Sequence, residues 1–302
     1  MVGLQVLSHP LDPLSASNAD PEDKRVDWRV ASGRQQGRAH VATSVPCQDQ
    51  VTTLALPDGT VVGALADGAG SARFSHYGAE LVVTRASRLV AELFEPLFRA
   101  TNNLGTLRAR VVQELQGILA RAASGGLDVT EDDRRRLGLP DRFDTPLIPC
   151  DLRDLATTVL VVAVRGDRYV ALHLGDGAIG TENVLKSGTR IVRALGIPDN
   201  GEFANETTFI TSRDAAGSLR IYRGRVETTS RSIAGFVLMS DGPEASLYRK
   251  STRTMATACS KLLQGCRELP SDIMAEQLGQ ALRDVIAPRT HDDCSLVLVA
   301  RG

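Results

Sequence analysis

Thr60-Val61-Val62-Gly63-Ala64-Leu65-Ala66-Asp67-Gly68-Ala69-Gly70 decides the reading of this chain. An apolar run of strand length ends in Asp-Gly. The chain repeats that arrangement at Asp176-Gly177, after Tyr169–Leu174, and at Asp241-Gly242, after Gly235–Ser240. Two further acidic points stand where strands begin: Asp49 in Cys47-Gln48-Asp49-Gln50, and the pair Asp292-Asp293 ahead of Cys294–Val299. Carboxylates at strand ends collect on one rim of a sheet. A cluster of oxygen ligands with hardly any His or Cys nearby suits a hard divalent cation. Asp-Gly is also ordinary turn chemistry, and Asp58-Gly59 reads as a turn. Recurrence after three apolar strands, with Asp49 and Asp292 in addition, favours a metal site for the set.

A register argument brings the carboxylates together. Taking Asp58-Gly59 as the two-residue turn between Val51–Leu56 and Thr60–Ala66 sets Asp67 opposite Gln50 and Asp49 opposite Gly68. Both acids then stand at the open end of one hairpin, diagonal neighbours within about 8 Å. A second hairpin, Thr158–Val164 with Tyr169–Leu174 around Gly166-Asp167, sets Asp176 opposite Thr157, again at an open end. The two ends face each other if the hairpins lie in stacked sheets. Like charges crowded in this way raise one another's pKa unless a cation neutralises them.

Outward from these hairpins the periodicity changes. Residues 76–100 and 104–123 carry apolar side chains at helical spacing, as do 247–268 and 271–286. Residues 124–153 read as irregular around a small helix capped by Thr130 with Asp133, and Arg134-Arg135-Arg136 as its solvated face. Strand-and-loop with turn signals, Asp199-Asn200-Gly201 among them, fills 180–232. Residues 8–25 are rich in Pro, Ser, Asp and Asn, so residues 1–25 are expected to be a flexible leader, with Val2–Leu7 able to dock as an edge strand. Residues 26–302 are expected to form one catalytic domain. Strands joined by hairpins and followed by helices argue against βαβ alternation and for an α+β fold of mostly antiparallel sheets with helices outside.

The 302 residues, 42% hydrophobic and 24% charged with formal net charge -1, allow a substantial core and give no global reason to expect nucleic acid or an anionic membrane as partner. Five scattered cysteines without a C-x-x-C pair fit reduced thiols better than a zinc cluster or a disulfide framework. No run approaches a membrane span, and a cytoplasmic location is expected. Cys47 and Cys294 read as small core residues, with Cys47 a redox-sensitive thiol as the lesser alternative.

In order along most of residues 28–302, the motifs resemble the protein phosphatase 2C family of metal-dependent serine/threonine phosphatases, in its bacterial branch. The resemblance rests on Cys47-Gln48-Asp49, Ala66-Asp67-Gly68-Ala69-Gly70, Ala156-Thr157-Thr158, Gly175-Asp176-Gly177, Ser240-Asp241-Gly242 and Asp292-Asp293-Cys294-Ser295. It implies an αββα sandwich with two Mg²⁺ or Mn²⁺ ions between the sheet edges. By position it implies Asp67 bridging both ions, the Gly68 carbonyl completing one shell, Asp49 on the Gly68 side, Asp241 and Asp292 on the other ion, and Asp176 at a third, weaker metal. A water bridging two cations would be the nucleophile. Ser44 stands near where many members carry a phosphate-gripping Arg, so that group comes from elsewhere or is absent, and Arg38, His40 and Arg73 are the candidates, with His40 and Arg38 ranked first. Ala69 replaces a His of eukaryotic members. Proton donation then falls to metal-bound water, to His40 or to His76, and His76 reads better as flanking its helix. Ala245 occupies a position where a third-metal Asp often stands.

The implied activity is hydrolysis of phosphoserine or phosphothreonine in proteins, on targets of a Ser/Thr kinase. A silent phosphoprotein-binding regulator of a kinase and a phosphatase of small metabolites are the competing readings. Residues 124–153 and 199–231 are expected to shape access to the site.

Overall fold

A computed structural model describes residues 27–196, 207–249 and 251–302. The leader expected over 1–25, the turn at Asp199-Asn200-Gly201 and the first part of the 199–231 segment lie outside the described residues. The strands are β1 (Trp28–Gln35), β2 (Gln50–Ala55), β3 (Val61–Ala66), β4 (Val159–Arg165), β5 (Arg168–Leu174), β6 (Ala178–Leu185), β7 (Arg190–Gly196), β8 (Arg220–Arg225), β9 (Arg231–Met239), β10 (Tyr248–Arg249), β11 (Thr254–Met255) and β12 (Cys294–Arg301). The helices are α1 (Arg38–Thr43), α2 (Ser75–Glu92), α3 (Phe94–Arg99), α4 (Leu104–Gly125), α5 (Glu131–Leu137), α6 (Ala215–Ser218), α7 (Glu244–Leu247), α8 (Thr257–Glu268) and α9 (Ser271–Gln280).

The strands form a seven-stranded sheet in the order β1-β12-β9-β6-β7-β11-β10 and a five-stranded sheet in the order β2-β3-β4-β5-β8. Every described pairing is antiparallel. Alternation explains the layering. In β3, Val61 and Leu65 pack between the sheets against Phe236, Leu238, Val297 and Val299. Val62, Ala64 and Ala66 face the opposite way, onto Val82, Leu89, Leu115 and Leu119 of α2 and α4. On the far side Val237, Met239 and Leu298 pack on Leu263 and Leu278 of α8 and α9. Both faces of the central strands are buried, so they read as continuous apolar runs. The expected αββα sandwich is the observed architecture.

The details depart from expectation in physically readable ways. Gln50 pairs with Ala66 and Val51 with Leu65, one residue away from the expected register. The connection is a three-residue loop, Pro57-Asp58-Gly59, in which Gly59 takes φ 78° and Leu56 and Thr60 close the turn. Asp49 therefore falls opposite Asp67, and the Gly68 N–H donates to the Gln48 carbonyl at 3.2 Å. The second hairpin keeps its expected register, with Val159 opposite Leu174 and Arg165 opposite Arg168. The two hairpins are neighbours in one sheet, joined through β3 and β4, rather than facing across stacked sheets. Asp241 and Asp292 come from the other sheet.

The 247–268 helix is also shorter than its pattern suggests. Tyr248–Met255 turns back as the small β10–β11 hairpin, and α8 begins only at Thr257. Likewise the 76–100 helix divides at Leu93 into α2 and α3. Thr130 caps α5 as expected, accepting from the Asp133 N–H. Arg134, however, is 2% exposed, with its guanidinium donating to the carbonyls of Val129, Pro140 and Pro146, so it anchors the 124–153 segment instead of facing solvent.

Candidate metal centre

Asp67 lies just past β3, with its backbone held by two threonines. Its N–H donates to Thr158 Oγ1 at 3.0 Å, and its carbonyl accepts from Thr157 Oγ1 at 2.8 Å and from the Thr158 N–H at 2.8 Å. The side chain is left for the cleft. Burial pushes the Asp67 carboxyl well above the usual range, and the charges of Asp49, Asp241, Asp176 and Asp292 push in the same direction. The structure thus gathers the five predicted carboxylates, with Asp67 acted on by all the others.

Asp49 is 1% exposed. Burial raises its pKa to about 7, against the opposing hydrogen bond from Ser240. That bond spans 2.7 Å from Ser240 Oγ to Asp49 Oδ2. Asp241 likewise rises to about 7, through burial and then the charges of Asp292 and Asp176. Asp176 accepts from Thr207 Oγ1 at 2.6 Å. Asp292 is exposed and caps its neighbour, accepting from the Asp293 N–H at 2.9 Å.

Asp293 does different work from Asp292. It is 2% exposed and accepts from the Gly37 N–H and the Gln48 N–H, both at 2.6 Å, with His40 Nδ1 3.0 Å away. Its carboxylate is consumed in tying β12 to the segments that carry His40 and Asp49. Gly242 lies so close behind that a Cβ there would sit 1.9 Å from the Asp293 carbonyl oxygen, so the Asp-Gly after β9 is a packing requirement as well as a turn.

No three His, Cys, Asp or Glu side chains among the described residues already form a metal shell. The donor set still suits a hard cation. Three buried carboxylate oxygens, Asp49 Oδ1, Asp176 Oδ1 and Asp241 Oδ1, have no hydrogen-bond partner among the described residues. Buried, unsatisfied anionic oxygens are costly, and a divalent ion is the ligand that offsets several at once.

Of the expected phosphate-gripping residues, His40 is half-buried, with Nδ1 3.0 Å from Asp293 Oδ2. Arg38 is exposed, with Nε donating to the Thr290 carbonyl at 3.1 Å. Arg73 stacks over the Phe74 ring, 4.9 Å from its centroid. Sequence reasoning missed Arg34, which donates to the Asp49 carbonyl at 3.0 Å, and Ser240. His76 is in the first turn of α2, 3.0 Å from Asp133. Burial and the nearby Asp293 and Asp49 raise the Cys47 thiol, which favours its packing role over a reactive thiolate.

No helix of the described residues is long and apolar enough to cross a membrane. The model of the Protein phosphatase 2C family matches residues 36–283. Serine/threonine-protein phosphatase 3 of Escherichia coli (strain K12) is 25% identical over 291 residues, covering 90% of this chain and 98% of that protein. A bacterial serine phosphatase superposes with TM-score 0.55 at 14% identity, covering 90% of this chain and 97% of the other. The catalytic domain of the serine/threonine protein phosphatase PstP, in complex with two manganese ions, gives 0.52 at 17% identity, with 91% and 98% covered. The two structures share the fold, and the family match spans most of the chain: this protein belongs to the protein phosphatase 2C family.

Proposed function

We propose that this chain is a Mg²⁺- or Mn²⁺-dependent protein serine/threonine phosphatase that hydrolyses phosphomonoesters by direct attack of water. The observation that carries the reading is Asp67 within reach of the charges of four other carboxylates, with three buried carboxylate oxygens of that set lacking partners among the described residues. Asp67 would bridge two ions, with Asp49 and the Gly68 carbonyl on one side and Asp241 and Asp292 on the other. Asp176 would hold a third, weaker one. When bound, the ions supply an activated water and offset charge on the phosphoryl oxygens.

The chain's own groups do the positioning. Ser240 fixes the Asp49 carboxylate, and Thr157 and Thr158 fix the backbone of Asp67. With His40 Nδ1 turned to Asp293, Nε2 is the nitrogen left for the phosphate ester or its leaving oxygen. Arg34, which donates to the Asp49 carbonyl, and Arg38, which donates to the Thr290 carbonyl two residues before Asp292, are the cations assigned to the phosphate, and Arg34 keeps N–H groups beyond the one given to the Asp49 carbonyl. The substrates are phosphoproteins that a Ser/Thr kinase has modified, and five free cysteines fit a reducing cytoplasm. Retention of the whole carboxylate set supports an enzyme over a silent binding module.

The test is turnover of p-nitrophenyl phosphate and of phosphoserine, phosphothreonine and phosphotyrosine peptides, with Mn²⁺, with Mg²⁺ and with chelator. Metal-dependent hydrolysis favouring the Ser and Thr esters is expected. Metal-independent turnover by pure protein would sink the mechanism.

A further inference from the structure

The outer end of the seven-stranded sheet carries a basic surface that the metal centre does not use. Segments 185–196 and 245–261 together hold seven Lys or Arg and no Asp or Glu, in a chain whose net charge is -1. Such local excess in a near-neutral protein is a directed field.

Register shows where two of these cations point. Phe236 pairs with Thr181, Thr181 with Arg193, Arg193 with Thr254, and Thr254 with Arg249. Residues directly opposite one another share a face of the sheet. Phe236 is in the core between the two sheets, so the whole row belongs to that inward face. The alternate residues Val192, Val237, Tyr248 and Met255 pack on the helix side. Along the row Phe236 and Thr181 are buried, while Arg193 and Arg249 are exposed. The row therefore runs out of the core into solvent and ends in two guanidinium groups.

Neither Arg193 nor Arg249 makes an ion pair among the described residues, in contrast to Arg190, which pairs with Glu182. Arg253 adds a third exposed cation at the β10–β11 tip. Beside them lies a pocket of ≈ 520 Å³ lined by Ser246, Tyr248, Arg249, Thr254 and Thr257. It opens next to α7, which starts three residues after Asp241.

Spacing suits an extended peptide. Two strand steps separate Arg193 from Arg249, about 10 Å, and Thr181 is five residues, roughly 16 Å, along the chain from Asp176. A phosphorylated residue in the metal centre would place side chains about four to six positions away against these arginines.

We propose that this overhang, with Arg193 and Arg249 at its centre, selects phosphoprotein substrates bearing Asp or Glu several residues from the scissile phosphate. The inference rests on the phosphatase reading above and names its substrate class. It is tested with two phosphothreonine peptides, carrying Glu at positions four to six on the N-terminal or the C-terminal side, each against its Gln counterpart. The expected result, in low salt with Mn²⁺, is a kcat/KM ratio of roughly 3- to 10-fold in favour of Glu on one side. Arg193→Gln/Arg249→Gln should bring that ratio to about 1 and leave p-nitrophenyl phosphate turnover and the melting temperature unchanged, and high salt should do the same to the wild type. Ratios near 1 in the wild type, or a preference that survives in the double variant, overturn the assignment. Wild-type protein inert towards p-nitrophenyl phosphate and every peptide would instead overturn the phosphatase reading, and this inference with it.

Discussion

Ser240 Oγ donates to Asp49 Oδ2 at 2.7 Å, and this bond joins the two sheets at the rim that holds the carboxylates. Ser240 follows β9 in the seven-stranded sheet, and Asp49 precedes β2 in the five-stranded one. Ser240 is itself held by the Ser295 N–H at 3.1 Å. Ser240→Ala should leave a buried carboxylate oxygen without its donor, at a cost of about 1–3 kcal/mol in denaturant unfolding. It should also raise the Asp49 pKa further and weaken Mn²⁺ binding at neutral pH, read by calorimetric titration. Unchanged stability and unchanged affinity would remove Ser240 from the site.

Asp67→Asn and Asp241→Asn should each lower Mn²⁺-dependent turnover by at least ~10²-fold. The chelated proteins should behave in the opposite sense. An amide at either position removes one of the charges that repel across the rim. The metal-free variants should therefore melt above metal-free wild type, by about 2–4 °C for each kcal/mol of repulsion relieved. Wild-type rates in either variant would refute the ligand assignment.

Proton and metal compete for the same oxygens. Without metal, Asp49 and Asp241 titrate at about 7 in the folded chain, against about 4 unfolded. A raised folded pKa contributes stability that is present below the unfolded value and lost as pH climbs through the folded one. Chelated protein should thus lose melting temperature between about pH 5 and pH 8. Added Mn²⁺ should raise it most at the upper end of that window. A chelated melting temperature that is flat across the window would contradict the shifts.

Local pattern made an α+β fold of mostly antiparallel sheets with outer helices legible, because strand and helix periodicities differ and the Thr130 cap announces itself, while the αββα layering came only with the family resemblance. The convergence of Asp49, Asp67, Asp176, Asp241 and Asp292 was readable for the same reason, since each marks the end or start of an apolar strand. What escaped depended on contacts between distant segments. Gly59 adopts φ 78° and lengthens the first loop by one residue, which shifts the register although the dipeptide looks like a two-residue turn. Asp292 and Asp293 are indistinguishable by motif. Only the fold shows that Gly37, Gln48 and His40 surround Asp293. Arg134 looks like part of a solvated run until three carbonyls close around it. Ser240 gave no signal beyond its place before Asp241, since its partner is on the other sheet.

The 124–153 segment is fastened to the helix that borders the site, and the fastening is a carboxylate. Asp133 Oδ2 lies 3.0 Å from His76 Nε2 and accepts from Tyr77 Oη at 3.1 Å and Thr130 Oγ1 at 3.0 Å, while Arg136 donates to Oδ1 at 2.6 Å. One residue before His76, Ser75 Oγ accepts from Gln48 Nε2 at 2.7 Å, beside Asp49. Burial pushes the Asp133 carboxyl up, but the bonds from His76 and Arg136 outweigh it and hold the group well below the usual range. A depressed folded pKa contributes stability that is present above the unfolded value and lost as pH falls below it. Asp133→Asn keeps the shape and removes the charge, leaving Arg136 and His76 without their anion. It should cost about 3–5 kcal/mol in urea unfolding at pH 7. The gap to wild type should narrow below about pH 4, where the wild-type carboxylate begins to lose its advantage. A gap of equal size at pH 7 and pH 3 would mean that hydrogen-bond geometry, and not charge, fastens the segment to α2.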